Sequence, residues 1–153
     1  MKLIIASRGV AGNLLNNSEK YPGITHIVSI GADEPIQKLP VGYDSHPAEH
    51  KLRLEFFDIS EEKRKGMNGP VKSDLVKLIR FYIESASHPD PLFLIHCFAG
   101  ISRSTAAGLI LLTMFYKDAS RARKELFKLV PNAIPNSRMV KLANEVFHDE
   151  WNK

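Results

Sequence analysis

The stretch that decides the fold is LFLIHCFAGISRS, residues 92–104. Its first part, Leu92–His96, is apolar up to the histidine, which is typical of a central strand covered on both faces. From residue 104 to residue 116 the chain is apolar nearly all round, which predicts a buried helix. The segment between them, 97–103, is therefore predicted to be a tight loop that connects a buried strand to a buried helix.

Three further strands are predicted upstream, because each segment is rich in apolar or β-branched residues and is bounded by turn signals. They are Lys2–Ala6, 25–30 and 52–57. In the third of them Leu52, Leu54 and Phe56 alternate with polar residues. This half-exposed pattern predicts a position near the edge of the sheet.

Helical spacing of apolar residues predicts helices at 71–83, 120–129 and Ser137–Trp151 in addition to the buried helix. Either Asn136 or Ser137 is suited to cap the last of them. Strands early in the chain with helices between and after them predict an α/β fold, with a mostly parallel sheet flanked by helices. We expect a single domain, 1–153. Ligands of such sheets bind beyond the carboxyl ends of the strands, where Cys97 is placed.

Composition narrows the class of protein. The chain has 153 residues, of which 44% are hydrophobic and 25% charged, and a formal net charge of +4. These values indicate a soluble globular domain, and the scattered basic residues do not form a nucleic-acid-binding pattern. No apolar run suits a membrane span or a secretory signal, so we expect a cytoplasmic protein without membrane partners. Its one cysteine excludes an internal disulfide and fits a reducing compartment.

The loop itself predicts an anion site. Backbone N–H groups between a strand and a helix converge on one point, and the positive end of the helix dipole adds to their field. The loop residues that would form this nest are Phe98, Ala99, Gly100, Ile101, Ser102 and Arg103. Gly100 permits an unusual backbone turn, and the planar guanidinium of Arg103 suits two phosphoryl oxygens at once. The same field favours a thiolate nucleophile at Cys97, to which Ser104 could donate a hydrogen bond.

The pattern His-Cys-x5-Arg-Ser at a strand-to-helix junction resembles the signature of the cysteine-dependent protein tyrosine phosphatases. The short chain resembles their compact dual-specificity branch. The resemblance implies Cys97 as nucleophile, Arg103 as phosphate clamp, Ser104 as partner of the sulfur and His96 as support for the loop. The resemblance implies that the protein needs neither a metal ion nor an organic cofactor.

The resemblance also implies a general acid on a loop after an earlier strand, where Asp58 stands. A carboxylic acid there would protonate the leaving oxygen, and its carboxylate would then activate water. Glu61 and Glu62 are nearby alternatives, and Asp33 is a further one. The segment between Asp58 and Cys97 is longer than in compact members of the family, so all four carboxyl groups stay candidates.

Two other motifs are discounted. His46, Glu49 and His50 match the H-x-x-E-H metal pattern, but the segment leads straight into a strand and leaves little room for the helix that a zinc site needs. We expect a surface connector there. Gly9 and Gly12 lack the third glycine of a nucleotide-binding loop.

The resemblance implies a phosphorylated protein or peptide as substrate, with phosphotyrosine first and phosphoserine or phosphothreonine also open. Two alternatives remain. One is a phosphatase of a phosphoinositide, a nucleotide or an RNA 5′-phosphate. The other is a module that binds phosphate without turnover. The sequence sets no expectation for the oligomeric state.

Overall fold

The computed structural model describes residues 1–17 and 23–151. Its strands are β1 (Lys2–Ala6), β2 (His26–Gly31), β3 (His50–Glu55), β4 (Lys63–Arg64), β5 (Met67–Asn68) and β6 (Leu92–His96). Its helices are α1 (Arg8–Asn16), α2 (Lys72–Ser85), α3 (Arg103–Tyr116), α4 (Ala119–Leu129) and α5 (Ser137–Trp151), with a short 3-10 turn at Pro35–Gln37. This is the predicted single-domain α/β architecture.

The main sheet has the strand order β1-β6-β2-β3, and every neighbouring pair is parallel. β6 therefore lies inside the sheet and β3 at its edge, as the apolar and alternating patterns predict. The side chains of β6 alternate between two cores. Leu94 packs with Ala11 and Leu15 of α1 on one face, whereas Phe93 and Ile95 join the larger core beneath α2, α3, α4 and α5.

The third strand, helix α1 and the β4–β5 hairpin differ from the sequence-based prediction, which does not include the hairpin. The third strand ends at Glu55 because the N–H of Phe57 donates to the carbonyl of Asn68, 2.7 Å away, rather than continuing the sheet. That bond joins the β4–β5 hairpin to the segment that carries Asp58. Helix α1 is not predicted, since two glycines lower its helix propensity. It is stabilised instead by the Ser7 hydroxyl, which accepts from the N–H of Val10 at 3.2 Å, and by packing against the sheet.

Among the described residues no helix has both the length and the apolar character needed to cross a bilayer. Helix α3 is nonetheless largely buried, from Arg103 to Leu112, as its sequence predicts. It crosses the sheet beside β1 and β6 and begins at the carboxyl end of the central strand. The fold thus places the N-terminus of the buried helix α3 next to the carboxyl end of β6.

The opposite end of the sheet carries a histidine cluster. The buried ring of His26 stacks on that of His50 with centroids 4.5 Å apart, and meets His88 edge-on at 5.7 Å. Burial, reinforced by the two neighbouring histidines, lowers the pKa of His26 from 6.5 to about 4. His26 is therefore neutral in the folded protein near neutral pH.

This shift predicts a loss of stability in acid. The depressed pKa contributes stability above about pH 6.5, and that contribution is lost as the pH falls through about 4, since the unfolded chain binds the proton more readily. Denaturant unfolding between pH 7 and 4 should show a decreasing free energy of unfolding, with a shallower decrease in His26→Phe. An NMR titration in which His26 protonates near its ordinary pKa would contradict this account.

Candidate active site

The loop 97–102 connects β6 to α3 and turns four of its six carbonyl groups outward. Each of four carbonyl oxygens accepts a hydrogen bond from a group outside the loop's concave side. The pairs are Cys97 O with His96 Nδ1 (3.0 Å), Phe98 O with the N–H of Arg8 (3.0 Å), Ile101 O with the N–H of Ile134 (2.9 Å) and Ser102 O with the N–H of Asn136 (3.1 Å). Outward carbonyls leave the amide groups to face inward, because the C=O and N–H of a planar trans peptide point in opposite directions.

The inward amides form a nest. In the part of the chain that the structure describes, the N–H groups of Phe98, Ala99, Ile101, Ser102 and Arg103 donate to no protein atom. Only the N–H of Gly100 is engaged, and it donates to Cys97 Sγ at 3.2 Å. Successive free N–H groups at the start of a helix bind anions. The geometry of the loop predicted from sequence is therefore suited to binding an anion beside the cysteine.

Cys97 lies at the base of this nest and is 2% exposed. Besides the Gly100 amide, its sulfur contacts the hydroxyl of Ser104, with 3.1 Å between Sγ and Oγ. Ser104 is fully buried in the first turn of α3. Two hydrogen-bonding groups therefore hold the sulfur, and both can donate to a thiolate.

Arg103 is held from behind by the residue that directly follows the edge strand β3. Its Nη1 donates to the carbonyl of Phe56 at 2.9 Å, and the residue is 4% exposed. Burial lowers the pKa of Arg103, while the nearby Cys97 and Asp58 act in the opposite direction. The guanidinium remains charged, and its other N–H groups are available to an anion in the nest.

Asp58 is exposed beside the loop and touches it directly. Its Oδ1 accepts from the hydroxyl of Ser102 at 2.7 Å and from the side-chain amide of Asn136 at 2.8 Å. Within the described residues Oδ2 has no hydrogen bond, so it is the oxygen free to act on a bound ligand. The structure brings Asp58, Ser102 and Arg103 to one rim.

The other carboxyl candidates lie elsewhere. Glu61 is exposed at the base of the β4–β5 hairpin, where it pairs with Arg64 at 3.9 Å. The exposed Glu62 uses its backbone carbonyl to close the same hairpin against Gly69. Asp33 lines a separate cleft of about 570 Å³ with Arg53 and Lys38. Among the residues that the structure describes, Asp58 is the one of the four candidates whose carboxylate is hydrogen-bonded to the loop.

His96 lies behind the loop and is buried. Its Nδ1 contacts the carbonyl of Cys97, and its Nε2 lies 2.6 Å from the hydroxyl of Ser29. Burial is the main cause that lowers its pKa to about 4, although the bond to the Cys97 carbonyl opposes the shift. A neutral ring that points away from the nest is suited to holding the loop rather than to moving a substrate proton.

Two participating residues are not identified as such by the sequence pattern. Asn136 caps α5 through Oδ1, which accepts from the N–H of Met139 at 3.0 Å, as predicted for this position. Its amide, however, also reaches Asp58 across the sequence. The backbone of Arg8 braces the loop from the start of α1. The capping preference is a local sequence signal for Asn136. The contacts with Asp58 and with the loop are long-range, so neither leaves a local signal.

The H-x-x-E-H segment has no helix. His50 begins β3, and the ring of His46 is buried with its Nδ1 accepting from the N–H of Ala48 at 3.0 Å. The two histidines do not share a helical face. The prediction of a surface connector is therefore wrong at His46. The ring of this residue packs inward because it accepts a hydrogen bond within the turn before the strand.

The loop geometry predicts a sharp sensitivity at Gly100. Its φ is +78°, and a Cβ there would lie 2.7 Å from the N of Ser7 and 2.8 Å from the C of Ala6. Gly100→Ala should therefore weaken tungstate binding at least about tenfold, or 1.4 kcal/mol, by displacing the loop. Isothermal titration with tungstate measures this change.

Gly66→Ala is the matched control. Gly66 has a similar φ of +79°, but a Cβ there would meet nothing within 4 Å. Gly66→Ala carries the cost of a left-handed backbone, about 1–2 kcal/mol of stability, without the collision that a Cβ on Gly100 would cause. Equal tungstate affinities in the two variants would contradict the proposed close approach of Gly100 to β1.

Comparison with known proteins gives similarity at the level of structure. The chain matches no protein-family model and no curated protein sequence. Human DUSP28 superposes with a TM-score of 0.68 and 19% identity, over 99% of this chain and 90% of that one. A human tyrosine phosphatase-like serine/threonine/tyrosine-interacting protein gives 0.67 and 20%, over 90% and 84%. PTPMT1 in complex with PI(5)P gives 0.70 and 15%, over 99% and 92%.

These structures cover between 90% and 99% of this chain. Identities of 15–20% support a statement about fold. The predicted resemblance is confirmed at that level. The chain has the fold of the cysteine-dependent protein tyrosine phosphatases, of the compact dual-specificity type.

Proposed function

We propose that this protein is a cysteine-dependent phosphatase that hydrolyses phosphoric monoesters through a cysteinyl-phosphate intermediate. The observation that carries the proposal is the position of Cys97 Sγ at the base of a nest of free amides, with Ser104 Oγ at 3.1 Å. A nest of this kind holds the three peripheral oxygens of a phosphoryl group. It leaves the sulfur in line with the ester oxygen opposite.

The proposed reaction has two steps. In the first, the Cys97 thiolate attacks phosphorus, an S–P bond forms and the P–O ester bond breaks, while Asp58 gives its proton to the leaving oxygen. In the second, water attacks phosphorus, the S–P bond breaks and the Asp58 carboxylate takes a proton from the water. Inorganic phosphate, the thiolate and the protonated acid result. Arg103 neutralises the equatorial charge in both transition states, and Ser104 stabilises the departing thiolate.

A phosphorylated protein or peptide is the proposed substrate, with phosphotyrosine first. The loop positions other than Arg103 carry no charge, and Phe98 is 45% exposed at the rim. An exposed ring beside the nest offers a surface on which a phenyl ester can stack. Because the reaction needs a reduced thiol, the proposal also favours a cytoplasmic location.

A phosphoinositide is the second candidate substrate. The β4–β5 hairpin is hydrogen-bonded to the Asp58 segment and presents exposed Lys63, Arg64 and Lys65. PTPMT1, which shares the fold, has been seen in complex with PI(5)P. Initial rates on a phosphotyrosine peptide panel and on phosphoinositides, for the wild type and for a variant with all three basic residues changed to Ala, separate the candidates. A preference for phosphoinositides that is lost in the variant would favour the second.

Replacing the nucleophile tests the chemistry itself. In Cys97→Ser the para-nitrophenyl phosphatase activity should fall by about three orders of magnitude or more, since a serine hydroxyl is a much weaker nucleophile than a cysteine thiolate. The assay contains a chelator and reduced protein, and tungstate titration serves as the control for an intact nest. Turnover retained in the variant, or absent from a wild type that binds tungstate, would contradict the enzymatic proposal. The latter result would favour a phosphate-binding module.

Leaving-group dependence tests the general acid. Asp58→Asn should slow aryl phosphates with poor leaving groups by about 10²–10⁴-fold and para-nitrophenyl phosphate far less, because a stable leaving group needs little protonation. Glu61→Gln and Asp33→Asn are matched controls and should leave both rates unchanged. Equal slowing of both esters by Asp58→Asn, or a larger effect in a control, would assign the acid elsewhere.

A further inference from the structure

Arg53, on the edge strand β3, is the most extensively bonded side chain behind the loop. Its Nη1 donates to Ser29 Oγ at 2.8 Å, its Nη2 to the carbonyl of Gln37 at 2.6 Å and its Nε to Glu55 at 3.3 Å. The side chain is 17% exposed. The alternating pattern of β3 suggests an outward-facing arginine, so this inward position is a finding of the structure.

The neighbouring strand leaves room for the guanidinium. Gly31 ends β2 beside it, and a Cβ on Gly31 would collide with Arg53 Nη2 and with the carbonyl of Gln37. Any side chain at position 31 would thus displace the pair. The end of β2 and the Pro35–Gln37 turn are arranged around this one arginine.

The bond to Ser29 continues to the loop. Ser29 Oγ lies 2.6 Å from His96 Nε2, and His96 Nδ1 lies 3.0 Å from the carbonyl of Cys97. Arg53, Ser29 and His96 therefore form a continuous chain of hydrogen bonds from the sheet edge to the peptide that follows the cysteine. Ser29 and His96 are both buried, so water does not compete for these groups.

The proton positions along this chain follow from chemistry. The Cys97 carbonyl can only accept, so His96 Nδ1 must carry the proton. The ring is neutral, which leaves Nε2 as an acceptor, and Ser29 must donate to it. Arg53, which can only donate, occupies a lone pair of Ser29 and leaves its hydroxyl proton for His96. Each group thus supports one orientation of the next.

We propose that Arg53 is a positioning residue for the anion loop, acting through Ser29 and His96 on the Cys97–Phe98 peptide. When His96 holds the Cys97 carbonyl behind the loop, the N–H of Phe98, on the opposite side of the same peptide plane, points into the nest. The relay fixes the first of the inward amides beside the nucleophile. The hydrogen bonds of Arg53 go to Ser29, Gln37 and Glu55, and none goes to the sulfur.

The charge of Arg53 acts in the same direction. It contributes, after burial, to the lowered pKa of both His96 and Arg103. The guanidinium therefore favours the neutral form of His96 that the relay requires. It also adds positive potential beneath the nest. Both effects predict that replacing Arg53 with an apolar residue weakens anion binding.

The test compares Arg53→Met, Ser29→Ala and the double variant, with Arg80→Met, at an exposed position on α2, as the matched control. The first readout is the His96 tautomer, from long-range ¹H–¹⁵N NMR of the ring, and the second is tungstate affinity. Arg53→Met should populate the Nε2–H tautomer, because the Ser29 hydroxyl is then free to accept from the ring, and each single variant should bind tungstate about tenfold more weakly, the lower end of the range for an outer-shell partner. The control should match the wild type.

A linear relay predicts non-additivity. The double variant should lose less tungstate affinity than the sum of the two single losses, since both changes interrupt the same chain. An unchanged His96 tautomer in Arg53→Met, or fully additive losses of tungstate affinity, would overturn the proposal. If Arg53→Met does not fold, Arg53→Lys replaces it, and the same two readouts decide.

Turnover provides a third readout that rests on the proposed function. Both single variants should lower kcat and raise KM for para-nitrophenyl phosphate, because the Phe98 amide contacts the phosphoryl group in ground and transition states alike. The tautomer and the tungstate affinity are measured without turnover. A wild type that lacks activity would therefore overturn the proposed function and leave the relay to be decided by the other two.

Discussion

The rest of the site depends on the outward pinning of the loop carbonyls. Four of them are bound by three separate parts of the chain: Cys97 by the end of β6, Phe98 by the start of α1, and both Ile101 and Ser102 by the turn before α5. With the carbonyls engaged, the amides converge on the space above the sulfur, and no side chain of the loop needs to supply that charge. The fold thus prepares the anion site through its backbone, at the junction where the helix dipole adds to it.

Two charged side chains, those of Arg103 and Asp58, lie beside the amide groups of the loop. Arg103 is fixed by the carbonyl of Phe56, and Asp58, which follows the same strand, is fixed by Ser102 and Asn136. A cation and a carboxylate are thereby placed on one rim by elements far apart in sequence, since Asn136 and Asp58 are separated by 78 positions. Under the proposed function, this preorganisation limits the reorganisation that binding of a phosphoryl group requires.

The local parts of this arrangement could be predicted from sequence, and the long-range parts could not. A continuous apolar run and an apolar helix identify the strand, the loop and the helix around Cys97, and alternation identifies β3 as an edge strand. Helix α1 is missed because glycines weaken its pattern. The contacts of Arg53 with Ser29 and of Asn136 with Asp58 leave no periodic signal. They depend on which strands become neighbours, and that is decided by packing across the sheet.

The most direct measurement of the central claim is mass spectrometry of the protein quenched in acid during turnover of a phosphorylated substrate. The account predicts phosphate covalently attached to Cys97 in the peptide that contains the loop. It also predicts that the adduct accumulates when the second step is slowed. Steady turnover with no phosphate on Cys97, or with phosphate on another residue, would contradict the claim that this sulfur is the nucleophile at the base of the nest.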